Sequence, residues 1–171
     1  MKLPAIDPQV FRTVMSHFAT GVVVVTGRDA DGTPAGMTAQ SFSSLSIDPP
    51  LVLVSPARSS TSWPKIEPQG VFAVNVLSAE QAPLSRTFAR SGGDKFADAP
   101  WHEGELAIPL LDGALAHIEC TLEAEYPGGD HLIVVGKVAA LHTDFSGDTL
   151  EPLLFYRSAY RTLGAQQPTI P

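Results

Sequence analysis

The chain has 171 residues, a formal net charge of −7 and a 44% hydrophobic composition. This length suits one domain with a core that needs no metal or disulfide, and the acidic balance with scattered basic residues argues against nucleic acid as a partner. The single cysteine, Cys120, excludes an internal disulfide, and no apolar run is long enough to cross a membrane. With no secretory signal in the sequence, we expect a cytoplasmic protein.

The N-terminal segment predicts a helix followed by a hairpin. Asp7 and Pro8 are typical of an N-cap and a first helical residue, and apolar residues recur at helical spacing until Gly21 closes the segment. Residues 22–26 form a β-branched run, and the polar residues 28–32 are typical of the turn between two hairpin strands.

Strands dominate the remaining sequence. In residues 117–126 polar and apolar side chains alternate, which predicts that Cys120 is buried and that His117 and Glu119 face water. Residues 127–130 form a tight connection, so this strand and the next should pair as an antiparallel hairpin. The predicted strands after the first hairpin strand are residues 36–42, 51–55, 71–77, 117–126 and 131–142.

A second helix is predicted over residues 78–90. Ser78 and Gln81 have capping-box spacing, and Pro83 is expected to delay the start of the regular helix. Leu84 and Phe88 would then face the core.

Short strands with few helices predict a mainly β fold, a closed or partly open barrel rather than a doubly wound sheet. We expect residues 1–163 to form a single domain. Residues 164–171 contain two prolines and almost no apolar anchor, so we expect a poorly ordered tail.

The sequence around residues 58–62 is typical of an anion site. Arg58 and four hydroxyl residues precede Trp63 and Pro64, where a helix is expected to begin, so hydroxyls, N–H groups and a guanidinium could hold a phosphate. The alternative is that Ser62 only caps a short helix and the other hydroxyls are solvated. The cations that could assist are Arg58, Lys65, Arg86, Arg90, Lys95, Arg157 and Arg161.

A second polar cluster precedes this one. Thr38, Gln40 and Ser41 lie beside the small residues Gly36 and Ala39, which would let a planar heterocycle approach the backbone closely. The alternative is an exposed strand face. The serine-hydrolase elbow, the zincin motif, the P-loop and the Rossmann glycine fingerprint are all missing from the sequence, so any catalysis would depend on a bound cofactor.

Taken together, several segments resemble the flavin reductase family, the reductase components of two-component flavin-dependent monooxygenases. The resemblance covers about residues 11–163 in the expected order. It implies a flavin-binding split β-barrel of the Greek-key type with a few flanking α-helices, assembled as a homodimer. The segments that carry the resemblance are TGVVVVTG, GMTAQSFSSLSIDPPLVLVS, RSSTSW, FAVNVL, LSRTFA, GGDHLIVVGKV and PLLFYRSAYRTL.

The histidines show no metal-ligand spacing, so no metal is expected. The resemblance also implies site residues. Arg157 and Arg90 could neutralise a pyrophosphate. The implied flavin contacts are Pro34, Ala35, Gly36, Met37, Thr38, Gln40, Ser41, Ser55, Pro56, Ala57, Ser60, Thr61, Ser62, Thr87 and Phe88. The implied nicotinamide dinucleotide contacts are His131, Phe155, Tyr156, Arg157 and Ser158.

The function implied by the resemblance is reduction of free FMN or FAD by NADH, through hydride transfer from nicotinamide C4 to flavin N5, with the reduced flavin passing to a monooxygenase. The choice between NADH and NADPH stays open. One alternative is a split-barrel flavin-binding or electron-carrier protein without NADH turnover. Another is an oxidase of the pyridoxamine-phosphate type, for which the sequence offers no second basic cluster.

Overall fold

A computed structural model of the chain describes residues 5–143 and 151–164. The helices in this part are α1 (Pro8–Met15), α2 (Trp63–Ile66) and α3 (Ala82–Ala89), with single 3₁₀ turns at Glu67–Gln69 and Ala79–Gln81. The strands are β1 (Thr20–Gly21), β2 (Val23–Arg28), β3 (Pro34–Ala39), β4 (Phe42–Ser46), β5 (Leu51–Val54), β6 (Val71–Val76), β7 (Trp101–Glu103), β8 (Pro109–Leu111), β9 (Ala116–Gly128), β10 (His131–Thr143), β11 (Leu154–Tyr156) and β12 (Ala159–Arg161).

The main sheet has seven strands in the order β3-β2-β6-β9-β10-β5-β4, and its paired neighbours are antiparallel. Its two edge strands, β3 and β4, follow each other in the chain with only Gln40 and Ser41 between them. The sheet must therefore curl until its edges approach, which gives the predicted mainly β split barrel. We call the gap between β3 and β4 the seam. Two smaller sheets, β1-β11-β12 and β7-β8, flank the barrel.

The barrel interior is filled by apolar side chains from every strand of the main sheet, with β4 contributing the partly buried Phe42. Trp63 of α2 inserts among them, with its ring edge-on to Phe72 at a centroid distance of 5.7 Å. The predicted core residue Cys120 is fully buried, and burial raises the pKa of its thiol to about 12. The fully buried members of this cluster are Val25, Val54, Ile66, Val74, Cys120 and Val134.

The first predicted helix is confirmed at its start and wrong at its end. Asp7 accepts hydrogen bonds from the N–H groups of Gln9 and Val10, but α1 ends at Met15 rather than continuing to Gly21. Within the described residues its apolar side chains are largely exposed: Phe11 and Val14 are each more than half exposed.

The predicted strand over residues 36–42 is interrupted, because β3 ends at Ala39 and β4 begins at Phe42. The other predicted strands agree with β2, β5, β6, β9 and β10 to within two residues. The β9–β10 hairpin is confirmed, and Gly129 supplies the positive φ of +76° that its turn requires.

The predicted helix over residues 78–90 is confirmed as a 3₁₀ turn that leads into α3. Ser78 and Gln81 form the capping box, and Pro83 lies in the first turn of α3. Phe88 is buried, and Leu84 packs against the apolar cluster that contains Phe88.

The prediction that one face of β9 is exposed to water is wrong for the first half of the strand. His117 and Glu119 are buried, because the β7–β8 hairpin and the loop that joins its strands cover this face. Tyr126, which shares the predicted buried face of this strand with Cys120, is 56% exposed. The predicted tail lies outside the described residues except for Gly164, and the single-domain boundary stays a prediction.

Candidate functional site

A cavity of about 640 Å³ lies beside the seam. Its volume is within the range of about 300–1,000 Å³ that is usual for small-molecule sites. We call it the seam cavity. It is lined by Met37, Thr38, Ala39, Gln40, Ser41, Ser55, Pro56, Ala57, Ser59, Ser60, Thr61, Ser62, Phe88, Ala89, Arg90, Ser91, Lys95, His131, Phe155 and Tyr160.

Two sets of hydrogen bonds hold the walls of this cavity, one on each side of the seam. The Ser41 hydroxyl donates to the carbonyl oxygen of Ser55 at 3.0 Å, and the N–H of Ser55 donates back to it at 3.1 Å. On the other side, the Thr38 hydroxyl donates to the carbonyl oxygen of Ser85 in α3 at 2.7 Å. Thr38 and Ser41 therefore hold the walls. Among the residues that the structure describes, the Gln40 side chain between them makes one long hydrogen bond, which it accepts from the Thr20 hydroxyl at 3.4 Å.

Gly36 is required for a different reason from the one that the sequence indicated. A Cβ atom at this position would lie 2.7 Å from the ring of Phe88. The missing side chain therefore makes room for α3 to pack on β3 rather than for a ligand ring. Pro34, Ala35 and Gly36 line a neighbouring cavity of about 610 Å³ instead of the seam cavity.

The hydroxyls of residues 59–62, which we call the hydroxyl segment, have different roles that the sequence did not reveal. Ser60, and not Ser62, caps the turn: its hydroxyl oxygen accepts from the N–H groups of Ser62 and Trp63 at 3.3 and 3.1 Å. Ser62 makes no capping bond, and its oxygen accepts from Lys95 Nζ at 3.1 Å. The predicted helix start is confirmed, but α2 has only four residues, so the hydroxyls and cations rather than a helix terminus must attract an anion.

Two of the predicted cations, Arg90 and Lys95, line the seam cavity. Others are engaged elsewhere: Arg58 Nε donates to the carbonyl oxygen of Gly129, and the guanidinium of Arg86 lies 5.1 Å from the centroid of the Tyr160 ring. The positive charge at the cavity therefore comes from the end of α3 and the loop that follows it.

The residues expected to contact nicotinamide divide into two groups. His131 and Phe155 line the seam cavity, and His131 is bridged to Ala57 by backbone hydrogen bonding. Tyr156 lies at the end of β11, and Arg157 and Ser158 form the β11–β12 turn, outside the cavity lining.

That turn has an unusual backbone. Arg157 and Ser158 have φ values of +49° and +61°, as a two-residue hairpin turn demands. The Arg157 N–H donates to the carbonyl oxygen of Ser16 just after α1. The turn is thus anchored to the N-terminal helix.

The structure brings together most of the predicted flavin residues. Thr87 lies apart and lines a separate cavity of about 540 Å³ beneath α3. Sequence reasoning did not assign three of the lining residues to the site: Ala89, Ser91 and Tyr160. Lys95 was visible in the sequence as a candidate cation. Tyr160 reaches the cavity through the pairing of β11 with β12 and its contact with Ser85, which no local pattern indicates.

Among residues 5–143 and 151–164, no cluster of three or more His, Cys, Asp or Glu side chains could hold a metal ion. Within the same residues, no helix is both long and apolar enough to span a membrane.

Comparison with known proteins identifies the same architecture elsewhere. The family model described as "Flavin reductase like domain" matches residues 15–164. The reductase subunit HsaB of a flavin-dependent monooxygenase from Rhodococcus jostii is 47% identical, over 91% of this chain and 78% of that protein. The "FMN reductase (NADH) SmoA" of Agrobacterium fabrum is 44% identical, over 91% of this chain and 86% of that protein.

A solved structure supports the same comparison. The NADH:FAD oxidoreductase SgcE6 of Streptomyces globisporus, in complex with NAD and FAD fragments, superposes with a TM-score of 0.85. It is 36% identical, and the alignment covers 95% of this chain and 98% of that one.

Proposed function

This chain belongs to the flavin reductase family, and from that premise we propose that it uses NADH to reduce free flavin for a partner monooxygenase. Relatives named as a monooxygenase reductase subunit, an FMN reductase (NADH) and an NADH:FAD oxidoreductase support each part of this proposal. A cytoplasmic location, where NADH is available, belongs to the same proposal.

The observation that carries the proposal is the shape and chemistry of the seam cavity. One end presents the hydroxyl segment together with Lys95 and Arg90, which suits a phosphate. The same cavity is also lined by Ala39, Phe88 and Phe155, which suits a planar aromatic ring. A flavin nucleotide combines these two properties in one molecule.

The bound flavin supplies the redox chemistry by accepting a hydride from NADH. The chain's own contribution is to orient the flavin and to enclose it. Thr61 and Ser62 would hold the phosphate, which fixes the position of the ring relative to the seam. The Gln40 side chain, with few ties to the protein, would reach the polar edge of the ring. Hydrogen-bond donors at that edge favour the reduced form because negative charge accumulates there.

The nicotinamide nucleotide would approach from the side of His131 and Phe155. Both line the seam cavity, and the imidazole Nδ1 of His131 lies 2.8 Å from Asp130 Oδ1. That contact fixes the ring orientation and lowers the pKa of the Asp130 carboxyl. A fixed imidazole beside the ring would position the nicotinamide without moving a proton.

Two further features are part of the proposal. FMN and FAD are both proposed substrates, with NADH preferred over NADPH. A homodimer is also proposed, and the apolar side chains that α1 leaves exposed, Val10, Phe11 and Val14, support assembly because an isolated monomer seldom leaves such a stripe uncovered.

The test is a rate measurement on the purified protein. Loss of nicotinamide absorbance is followed with NADH alone, with NADH and FMN, and with NADH and FAD. The proposal predicts oxidation that depends on flavin and saturates with it. Tight flavin binding with no NADH oxidation would instead support the flavin-carrier alternative, and oxidation independent of flavin would contradict both.

A further inference from the structure

Lys95 lies at a junction of three structural elements around the seam cavity. Its Nζ donates to the carbonyl oxygen of Gly36 in β3 at 2.9 Å and to that of Phe88 near the end of α3 at 3.1 Å. The third bond, also 3.1 Å, reaches the hydroxyl oxygen of Ser62. One side chain thus ties a strand, a helix and the hydroxyl segment together.

The number of acceptors matches the number of protons on a lysine ammonium group, which has three N–H donors and no acceptor. Burial lowers the pKa of Lys95, and the neighbouring charge of Lys65 lowers it further. Only the protonated form can satisfy all three oxygens. Since every donor is occupied, Lys95 has no N–H left for a ligand.

The contact with Ser62 determines what that hydroxyl can do. A serine hydroxyl has one proton and two lone pairs. Because Lys95 donates to its oxygen, the proton of Ser62 must point to another acceptor. Ser62 is buried and makes no capping bond, and within the part of the chain that the structure describes its hydroxyl donates to no protein acceptor. The open space beside it is the seam cavity and the neighbouring cavity of about 610 Å³, both of which it lines.

We propose that Lys95 is a positioning residue that orients the Ser62 hydroxyl as a hydrogen-bond donor to the phosphate of the flavin. The inference rests on the proposed function. Lys95 acts through Ser62 and not by contact with the phosphate, and its two carbonyl bonds keep the ammonium group where the serine needs it.

The experiment compares two ligands that share a ring and differ in the phosphate. FMN and riboflavin are each titrated against the protein by flavin fluorescence, with wild type, Lys95→Met, Ser62→Ala and the double variant. Methionine keeps the length of the side chain and removes the charge. Loss of one charge-assisted hydrogen bond raises the FMN dissociation constant by about tenfold or more.

The expected pattern is specific. Lys95→Met and Ser62→Ala each weaken FMN binding and leave riboflavin binding unchanged. The double variant binds FMN no more weakly than either single variant, because both changes remove the same hydrogen bond.

A restored amine provides an independent readout. Cys120 is the only cysteine and is buried with a raised pKa, so in Lys95→Cys the new thiol can be alkylated selectively with bromoethylamine. The product resembles lysine in length and charge. FMN affinity should return after alkylation, whereas the same treatment of wild type should change nothing.

Three outcomes would overturn the proposal. Equal weakening of FMN and riboflavin would mean that Lys95 only holds the fold. Additive losses in the double variant would mean that it contacts the phosphate directly. Failure of the alkylated protein to recover FMN affinity would show that the amine at position 95 does not support FMN binding. A wild type that binds neither flavin would overturn the proposed function itself, which is a distinguishable result.

Discussion

Two polar regions of this molecule differ in how their hydrogen bonds are used. Under the β7–β8 hairpin, Asn75 donates to the carbonyl oxygen of Val24 and to the Thr26 hydroxyl, and accepts from the N–H of Leu111. Glu119, in the same region, accepts from two backbone N–H groups and from His142. We call this the closed network. Within the described residues, no buried side-chain nitrogen or oxygen is left without a partner.

The seam cavity is the contrasting region. There the hydroxyl of Thr61 is exposed to the cavity, and that of Ser62 is held by a neighbour through its oxygen alone. The comparison teaches that polar residues of the same types serve stability where their bonds close within the chain, and serve binding where donors remain available.

The largest expected effect is on the closed network. Asn75→Ala leaves the Leu111 N–H and the Val24 carbonyl without their side-chain partner in a buried site, and each such group costs about 1–3 kcal/mol. The free energy of unfolding, measured by urea denaturation, should fall by about 3–5 kcal/mol. The folded fraction should bind FMN as wild type does. A variant that is as stable as wild type but binds FMN weakly would contradict the assignment of Asn75 to the closed network.

A smaller effect with a distinctive pH dependence is expected at Glu119. Burial raises the pKa of this carboxyl, but hydrogen bonds from Leu106 and Glu105 and contact with His142 outweigh burial and hold the pKa below its ordinary value. Its stabilising contribution is therefore complete above the unfolded-state pKa of about 4.3 and is lost as the pH falls through the folded-state pKa.

Glu119→Gln should lower the free energy of unfolding by about 2–3 kcal/mol at neutral pH. The difference from wild type should narrow as the pH drops below about 4.3, since the wild-type carboxylate is then being protonated. Urea unfolding across a pH series measures both. A difference that stays constant down to the acid limit would contradict the assignment.

In the seam cavity the expected effect is on binding alone. Thr61→Ala removes one hydroxyl from the phosphate end and should raise the FMN dissociation constant about tenfold, with unchanged stability. Ser60→Ala is the matched control, because its hydroxyl caps the turn before α2 and its loss should lower stability as well. If Thr61→Ala binds FMN normally, the phosphate does not lie at this end.

The smallest effect is expected at Arg90. Its guanidinium lines the cavity from the end of α3, and Arg90→Gln removes its long-range attraction for an anion. The FMN dissociation constant should rise only about two- to fivefold at low salt, and the difference should shrink at high salt because an exposed charge is screened. An effect that is independent of salt would indicate a direct, desolvated contact.

The sequence predicted the barrel and most of its strands because alternation and turn residues are local signals. It failed on His117 and Glu119 because the segment that buries them, residues 104–111, lies outside the strand and carries no pattern that indicates where it packs. A polar residue on an alternating strand looks the same whether water or a loop covers it.

The site was predicted in part for the same reason. The hydroxyl segment and Gln40 are visible in the sequence, since their residue types are unusual for a strand end. The cap at Ser60, the contact of Gly36 with Phe88 and the bonds of Lys95 depend on how α3 and the following loop pack on β3, and no local spacing encodes that arrangement.

The central claim is that a flavin nucleotide binds in the seam cavity with its phosphate at the hydroxyl segment. A crystal structure of the protein soaked with FMN tests this most directly. The account predicts density for the phosphate beside Thr61 and Ser62 and for the ring between Gln40 and Phe155. Density for FMN in one of the neighbouring cavities, with the seam cavity empty, would contradict it.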